Sequence, residues 1–217
     1  MTVPSQDGFL KPENWNFYLP KDDPKREFIM NGVSFGFKLS ELDTLPKIRQ
    51  VLVNNYFSVF KYRHAVEHQI LEEIENGRYL LCDKQPSIVS ALGAIPKKNG
   101  KVRLIHDCSR PSGSAVNDHA IRDKFKYQTL QDAIDMVSPG DFLAKVDLHS
   151  AYRSVKVSPA ERDRLGISWW FESAVEPCFM VDSCLPFGHT RSPYIFNELS
   201  QAVCRIIHPL RLIEPPT

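Results

Sequence analysis

Hydrophobic and polar positions along this chain change texture several times. Met1–Pro46 is polar, punctuated by proline and rich in aromatics, and it has no clean period. It reads as an irregular segment with one short helix near Pro24–Asn31 and an extended piece near Val33–Leu39. From His64 to Asn76, Ala65, Ile70, Leu71 and Ile74 recur among charges and Gly77 follows as a stop, which predicts an amphipathic helix. Ile88–Ile95 and Val102–His106 are apolar and extended on either side of Asn99-Gly100, the pattern of a hairpin. Thr129–Val137 places Leu130, Ala133, Ile134 and Val137 on one stripe, predicting a short core helix. Phe142–Val146, entered from Pro139-Gly140, reads as a buried strand. A turn or helix over Leu148–Arg153 and a return strand over Ser154–Val157 follow it. Asp163–Phe171 and Cys178–Asp182 read as a strand pair, Leu185–Gly188 as a tight loop, and Pro193–Ile207 as a helix opened by proline. Strands alternating with helices around one sheet predict an α+β fold.

Asp147 stands where the Phe142–Val146 run meets its turn. A carboxylate at the mouth of a buried strand is costly without a cation. Two readings stay open on the residues alone: an N-cap of Leu148–Arg153, or a metal-binding or catalytic carboxylate. His64 and His68 share a helical face at i, i+4, either a metal pair or surface histidines. The Glu72-Glu73-Glu75 cluster reads as a solvated face.

Composition narrows the class. A hydrophobic share of 42% against 24% charged residues suits a globular protein with one substantial core. Five cysteines without a C-x-x-C pair favour free thiols over a disulfide framework or a zinc cage. No apolar run approaches a membrane span, so a soluble, intracellular protein is expected, cytoplasmic or nuclear. The net charge of +1 leaves any nucleic-acid footprint local. Lys97–Lys126 supplies one, with eight Lys or Arg against three Asp. Lys97, Lys98, Lys101 and Arg103 crowd the hairpin tip, where they either protect a strand edge or anchor phosphates.

Three segments then recur in a fixed order: I-P-K-K-N-G-K-V-R-L-I-H-D, A-K-V-D-L-H-S-A-Y-R and L-P-F-G-H-T-R-S-P-Y-I-F. This order resembles the fingers and palm of reverse transcriptases, and most of all those of the tyrosine-recombinase (DIRS-type) retrotransposons. Arg103–Asp118 and Ala151–Gly166 carry the latter likeness, which spans about Trp15 to Ile207. The resemblance implies a polymerase palm-like mixed sheet with packed helices plus a fingers subdomain. It implies template-directed DNA synthesis from deoxynucleoside triphosphates on an RNA or DNA template with its primer. Two Mg²⁺ ions are expected in the complete enzyme, one activating the primer hydroxyl and one holding the triphosphate. On matching positions, Asp147 would be the first metal-binding carboxylate, with the Leu148 carbonyl on the same metal. Tyr152 would pack under the sugar and reject a 2′-hydroxyl; without the resemblance it reads as a core tyrosine. Arg103 would lie against the incoming nucleotide, and Lys97 or Lys98 would meet its terminal phosphate. Phe187 and Gly188 would form the loop beneath the templating base.

Departures accompany the likeness. His189 stands where relatives usually carry Leu, and Thr190-Arg191 departs from the common Arg-Ser or Thr-Thr. Relatives also carry Tyr-x-Asp-Asp on a later hairpin, whereas this sequence has no Asp-Asp after Asp22-Asp23. The expectation is therefore a partial reverse transcriptase, inactive alone, whose missing partner is the remainder of a polyprotein. A non-catalytic nucleic-acid-binding remnant and a functionless transposon relic are the alternatives. The expected division is an irregular and helical segment over 1–85, a partial fingers–palm region over 86–208 and a tail over 209–217.

Overall fold

A computed structural model describes residues 10–41, 50–98, 100–143, 145, 147–148 and 150–207. The expected tail over 209–217 and the Asn99 turn position lie outside the described residues. The fold is α+β, as the alternation predicts.

Five short strands form a mixed sheet. β1 (Val51–Leu52), β3 (Ile88–Val89) and β6 (Gly166–Trp169) run parallel, and β7 (Cys178–Asp182) then pairs antiparallel with β6 and with β2 (Tyr79–Cys82), in the order β1-β3-β6-β7-β2. The strand pair expected over Asp163–Phe171 and Cys178–Asp182 is thus present. A second, two-stranded sheet is the hairpin of β4 (Ala91–Pro96) and β5 (Val102–Asp107). The expected single strand Ile88–Ile95 is broken at Ser90, whose amide donates to the Gly166 carbonyl at 2.9 Å. Its two halves therefore serve different sheets.

Helices complete two cores. α1 (Pro12–Tyr18), α2 (Arg26–Phe35) and α6 (Ser192–Ile207) gather around Trp15, Ile29, Phe37, Val155, Leu185, Ile195 and Leu199. α6 buries Tyr194, Ile195, Leu199 and Ala202 on one face, which matches its helical period. α3 (Phe57–Lys61) and α4 (Arg63–Glu75) close the second core with the hairpin, Tyr79, Ile167, Trp169 and Met180. Among the described residues no helix is long and apolar enough to cross a membrane.

Several expectations need correction. Phe142, Leu143 and Lys145 form no strand and are exposed, Phe142 fully so; Ala144 and Val146 lie outside the described residues. A strand needs a neighbour for its backbone groups, and none among the described residues pairs with this segment. The Thr129–Val137 stripe is not core either, every residue of it being exposed. It forms α5 (Leu130–Ile134), capped by Thr129 and Asp132, with Leu130 and Ile134 exposed. Val33–Leu39 is not an extended piece, since α2 runs to Phe35 and only Phe37 bridges to Val157. Ser154–Val157 likewise contributes isolated bridges in place of a strand. Leu148–Arg153 narrows to a 3-10 helix, Ala151–Ser154, whose N-cap is Ser150 and not Asp147. Glu73 is no part of a solvated face: it is buried, on one stripe with Val66 and Ile70.

Candidate functional site

The two cores meet at a cleft of about 320 Å³. Its walls include Lys97, Lys101 and Arg103 from the hairpin, Gln69 and Glu72 from α4, Ser150 and Ala151 at the start of the 3-10 helix, and Phe187. Alternation along β5 buries Val102, Leu104 and His106 and turns Arg103 outward, so the strand carries core residues and an exposed cation at once.

An aromatic ladder leads into this cleft from the first core. Phe196 of α6 lies 5.3 Å from Tyr152, which stacks on Phe187 at 5.0 Å with their planes 16° apart. The Arg103 guanidinium then sits 5.6 Å from the Phe187 ring centre. Three residues expected at one site, Arg103, Tyr152 and Phe187, therefore form one contiguous stack. Burial pushes the Tyr152 hydroxyl up to about 12, with Tyr127 beside it, so it stays protonated at neutral pH.

The loop carrying Phe187 lies flush on β5. The His106 amide donates to the Phe187 carbonyl at 2.9 Å. Gly188 has φ +131, and a Cβ there would come within 2.0 Å of the His106 carbonyl oxygen, so only glycine fits. From the other side the Asn117 side chain donates to the Gly188 carbonyl at 2.9 Å and accepts from the Thr190 amide at 3.0 Å.

Beneath the stack lies a charge network absent from the sequence-based expectations. Arg153 donates to Glu73 at 2.9 Å through Nε, and through Nη1 to Asp182 at 2.7 Å. Arg78 reaches Glu73 at 3.3 Å, and His106 Nδ1 lies 3.9 Å from Asp182. Burial pushes the Asp182 carboxyl up, but Arg153 and His106 pull it further down, to below the usual carboxylate range. Glu73 continues the buried stripe of α4 at i+7 from Val66. His106 was legible as the third inward position of β5.

The remaining expected residues are placed differently. Lys97 lines the cleft; Lys98, exposed at the same tip, does not. Asp147 and Leu148 are exposed and are not part of the cleft wall. Among the described residues, no group of three or more His, Cys, Asp or Glu side chains is placed to hold a metal ion. His64 and His68 are exposed on α4. One exposed carboxylate and a carbonyl do not fit a two-Mg²⁺ centre, which is bound through several carboxylates and substrate phosphates.

The departure at His189 has a consequence of its own. The ring is buried, and its Nδ1 accepts from the Arg191 amide at 3.1 Å. Burial, with His106 and Arg191 nearby, lowers its pKa to about 3. The unfolded chain takes up this proton near pH 6.5, whereas the folded chain resists it until about pH 3. Stability is therefore full above pH 6.5 and is lost as pH falls through that window, by up to about 1.4 kcal/mol per pH unit. His189→Asn keeps an acceptor for the Arg191 amide and removes the titration. Urea unfolding at pH 7 and pH 4.5 is expected to show a clearly smaller acid loss in the variant; equal losses would exclude His189 as the cause.

No protein-family model and no curated protein matches the sequence. Among solved structures the chain is similar to the crystal structure of the prototype foamy virus protease-reverse transcriptase, a selenomethionine-labelled CSH mutant. The TM-score is 0.55 at 16% identity, over 76% of this chain and 20% of that one. This chain thus spans about a fifth of the length of that protein. The likeness speaks for the fold: the chain has a reverse-transcriptase-like α+β fold.

Proposed function

We propose that the chain carries the nucleotide-binding part of a reverse-transcriptase-type polymerase site, in the lineage of the DIRS-type retrotransposons. The observation that carries this reading is the Arg103–Phe187–Tyr152 stack, opening onto a cleft walled by Lys97 and Lys101. A nucleoside triphosphate offers a flat base, a sugar and a strongly anionic tail. Aromatic rings and a guanidinium plane suit the first two. Lysine point charges and the arginine fork suit the third. The substrates would be a deoxynucleoside triphosphate and a primed RNA or DNA template.

Metal-dependent phosphoryl transfer is a separate matter. Asp147 alone supplies too few ligands, so the 217-residue chain would bind without incorporating nucleotide. That same exposure of Asp147 favours a second reading, a non-catalytic nucleic-acid-binding module that uses the hairpin tip on phosphates.

Primer–template binding across a salt series, with incorporation assayed in Mg²⁺, tests both readings. Affinity is expected to fall steeply between 50 and 200 mM salt, as the release of condensed counterions demands, each phosphate contact adding about 0.9 to the slope of log K against log salt. Changing Lys97, Lys98 and Lys101 together to Gln should flatten that slope by about 2 to 3. Salt-independent binding would rule out phosphate anchoring by the tip. Incorporation should be undetectable until the Tyr-x-Asp-Asp segment of a related reverse transcriptase is appended, and Asp147→Asn should then abolish it. Failure of the extended, folded chain to incorporate would leave the non-catalytic reading.

A further inference from the structure

Arg153 occupies an unusual place. It follows Tyr152 in the chain, yet its side chain points away from the aromatic ladder and into the seam between the cores. It is buried, as are both of its anionic partners, Glu73 on α4 and Asp182 at the end of β7. Its Nε and Nη2 reach the same Glu73 oxygen at 2.9 and 2.8 Å. Its Nη1 reaches Asp182 at 2.7 Å and also donates to the Leu185 carbonyl at 3.3 Å. Leu185 is gripped on its other side as well, its amide donating to the Val155 carbonyl at 2.9 Å. Two residues further on is Phe187. The Tyr79 ring packs against the guanidinium 5.2 Å away.

One planar cation thus joins four elements: the 3-10 helix that presents Tyr152, the loop that presents Phe187, α4 and β7. Stability alone is a poor account of such a group. Buried ion pairs are generally no better than well-packed apolar residues of the same volume, because desolvation offsets their attraction. What an apolar residue would not supply is direction. A guanidinium fork fixes the angles of three acceptors at once, and a lysine ammonium does not.

We propose that Arg153 is a positioning residue for sugar selection: it ties the Tyr152 turn to the Leu185–Gly188 loop, so that the Tyr152–Phe187 pair forms a rigid floor under the nucleotide sugar. The inference rests on the nucleotide-binding reading of the cleft. A floor free to shift would leave room for a 2′-hydroxyl, whereas a fixed one discriminates by fit. Glu73 and Asp182 share the role by holding Arg153, so a charge on a helix of one core sets ring geometry at the edge of the other.

The test uses the whole chain and two readouts. The first, hydrogen exchange without nucleotide, compares wild type with Arg153→Lys, which keeps the charge and loses the fork. Exchange at the Leu185 and His106 amides should quicken about tenfold while the β6–β7 amides stay protected, which marks a local opening. Unchanged exchange at Leu185 and His106 would overturn the tie. Should protection fall everywhere, the charge-balanced double change Arg153→Met, Asp182→Asn, which leaves Glu73 with Arg78, is read in its place, with the same local loss expected. The second readout is the ratio of affinities for dATP and ATP. Wild type should favour dATP, and the ratio should shrink by about threefold or more in Arg153→Lys. A loosened loop with an unchanged ratio would overturn the sugar role. Absence of any nucleotide binding by wild type would overturn the proposed function and the sugar role with it, whereas the exchange experiment still decides the tie.

Discussion

Arg153→Met is expected to destabilise the fold by about 3–5 kcal/mol, the usual cost of removing one member of a buried ion pair. The figure follows from what stays behind. Asp182 is 1% exposed and would lose the guanidinium at 2.7 Å, with the His106 ring 3.9 Å away left beside it. Glu73 would keep Arg78 at 3.3 Å. Most of the loss should therefore trace to Asp182, and adding Asp182→Asn to Arg153→Met should recover more stability than adding Glu73→Gln. Urea midpoints for the four proteins measure this directly. A loss below about 1 kcal/mol for Arg153→Met would be the value of an exposed pair, and it would contradict the burial of this network. Recovery through Glu73→Gln alone would place the strain on α4 instead of β7.

That network also shows where a sequence stops being readable. The hairpin, the β6–β7 pair and α6 were legible because each satisfies its pattern locally, through Asn-Gly, period 2 or period 3.6. Phe142–Val146 and Thr129–Val137 satisfied their patterns equally well, and yet Phe142, Leu143 and Lys145 of the first and all of the second are exposed. Pattern says that a segment can bury a face; whether a face is available is decided elsewhere in the fold. Phe142 and Leu130 find none among the described residues and stand exposed. Conversely Glu73 looked like one of three solvated glutamates. Its burial depends on Arg153, 80 positions away, and no local rule reports a partner at that distance.

The site divides the same way. Arg103, Tyr152 and Phe187 lie on three separate segments, and their convergence was implied by the reverse-transcriptase likeness, not by spacing. In the structure the three side chains lie in one stack. Asp147 was expected at the open end of a strand, and that strand is absent from the described structure. Arg153, Asn117 and His106 hold the stack in place and went unnoticed, since each reads as an ordinary polar residue until its partners are known. Of the three, His106 carried a visible signal, a polar residue in the inward register of β5.

On the proposed reading, Arg103 and the ring beside it form one wall of a nucleotide site. Titration of the 217-residue chain with a deoxynucleoside triphosphate at low salt tests it most directly. Wild type is expected to bind, and Arg103→Ala to weaken binding by about tenfold or more, the loss of roughly one charge-assisted contact. Lys84→Ala serves as the control, removing the same charge from an exposed position outside the cleft wall, and should leave the affinity nearly unchanged. Equal weakening by both variants would reduce the attraction to net charge. An affinity untouched by Arg103→Ala would contradict the account outright.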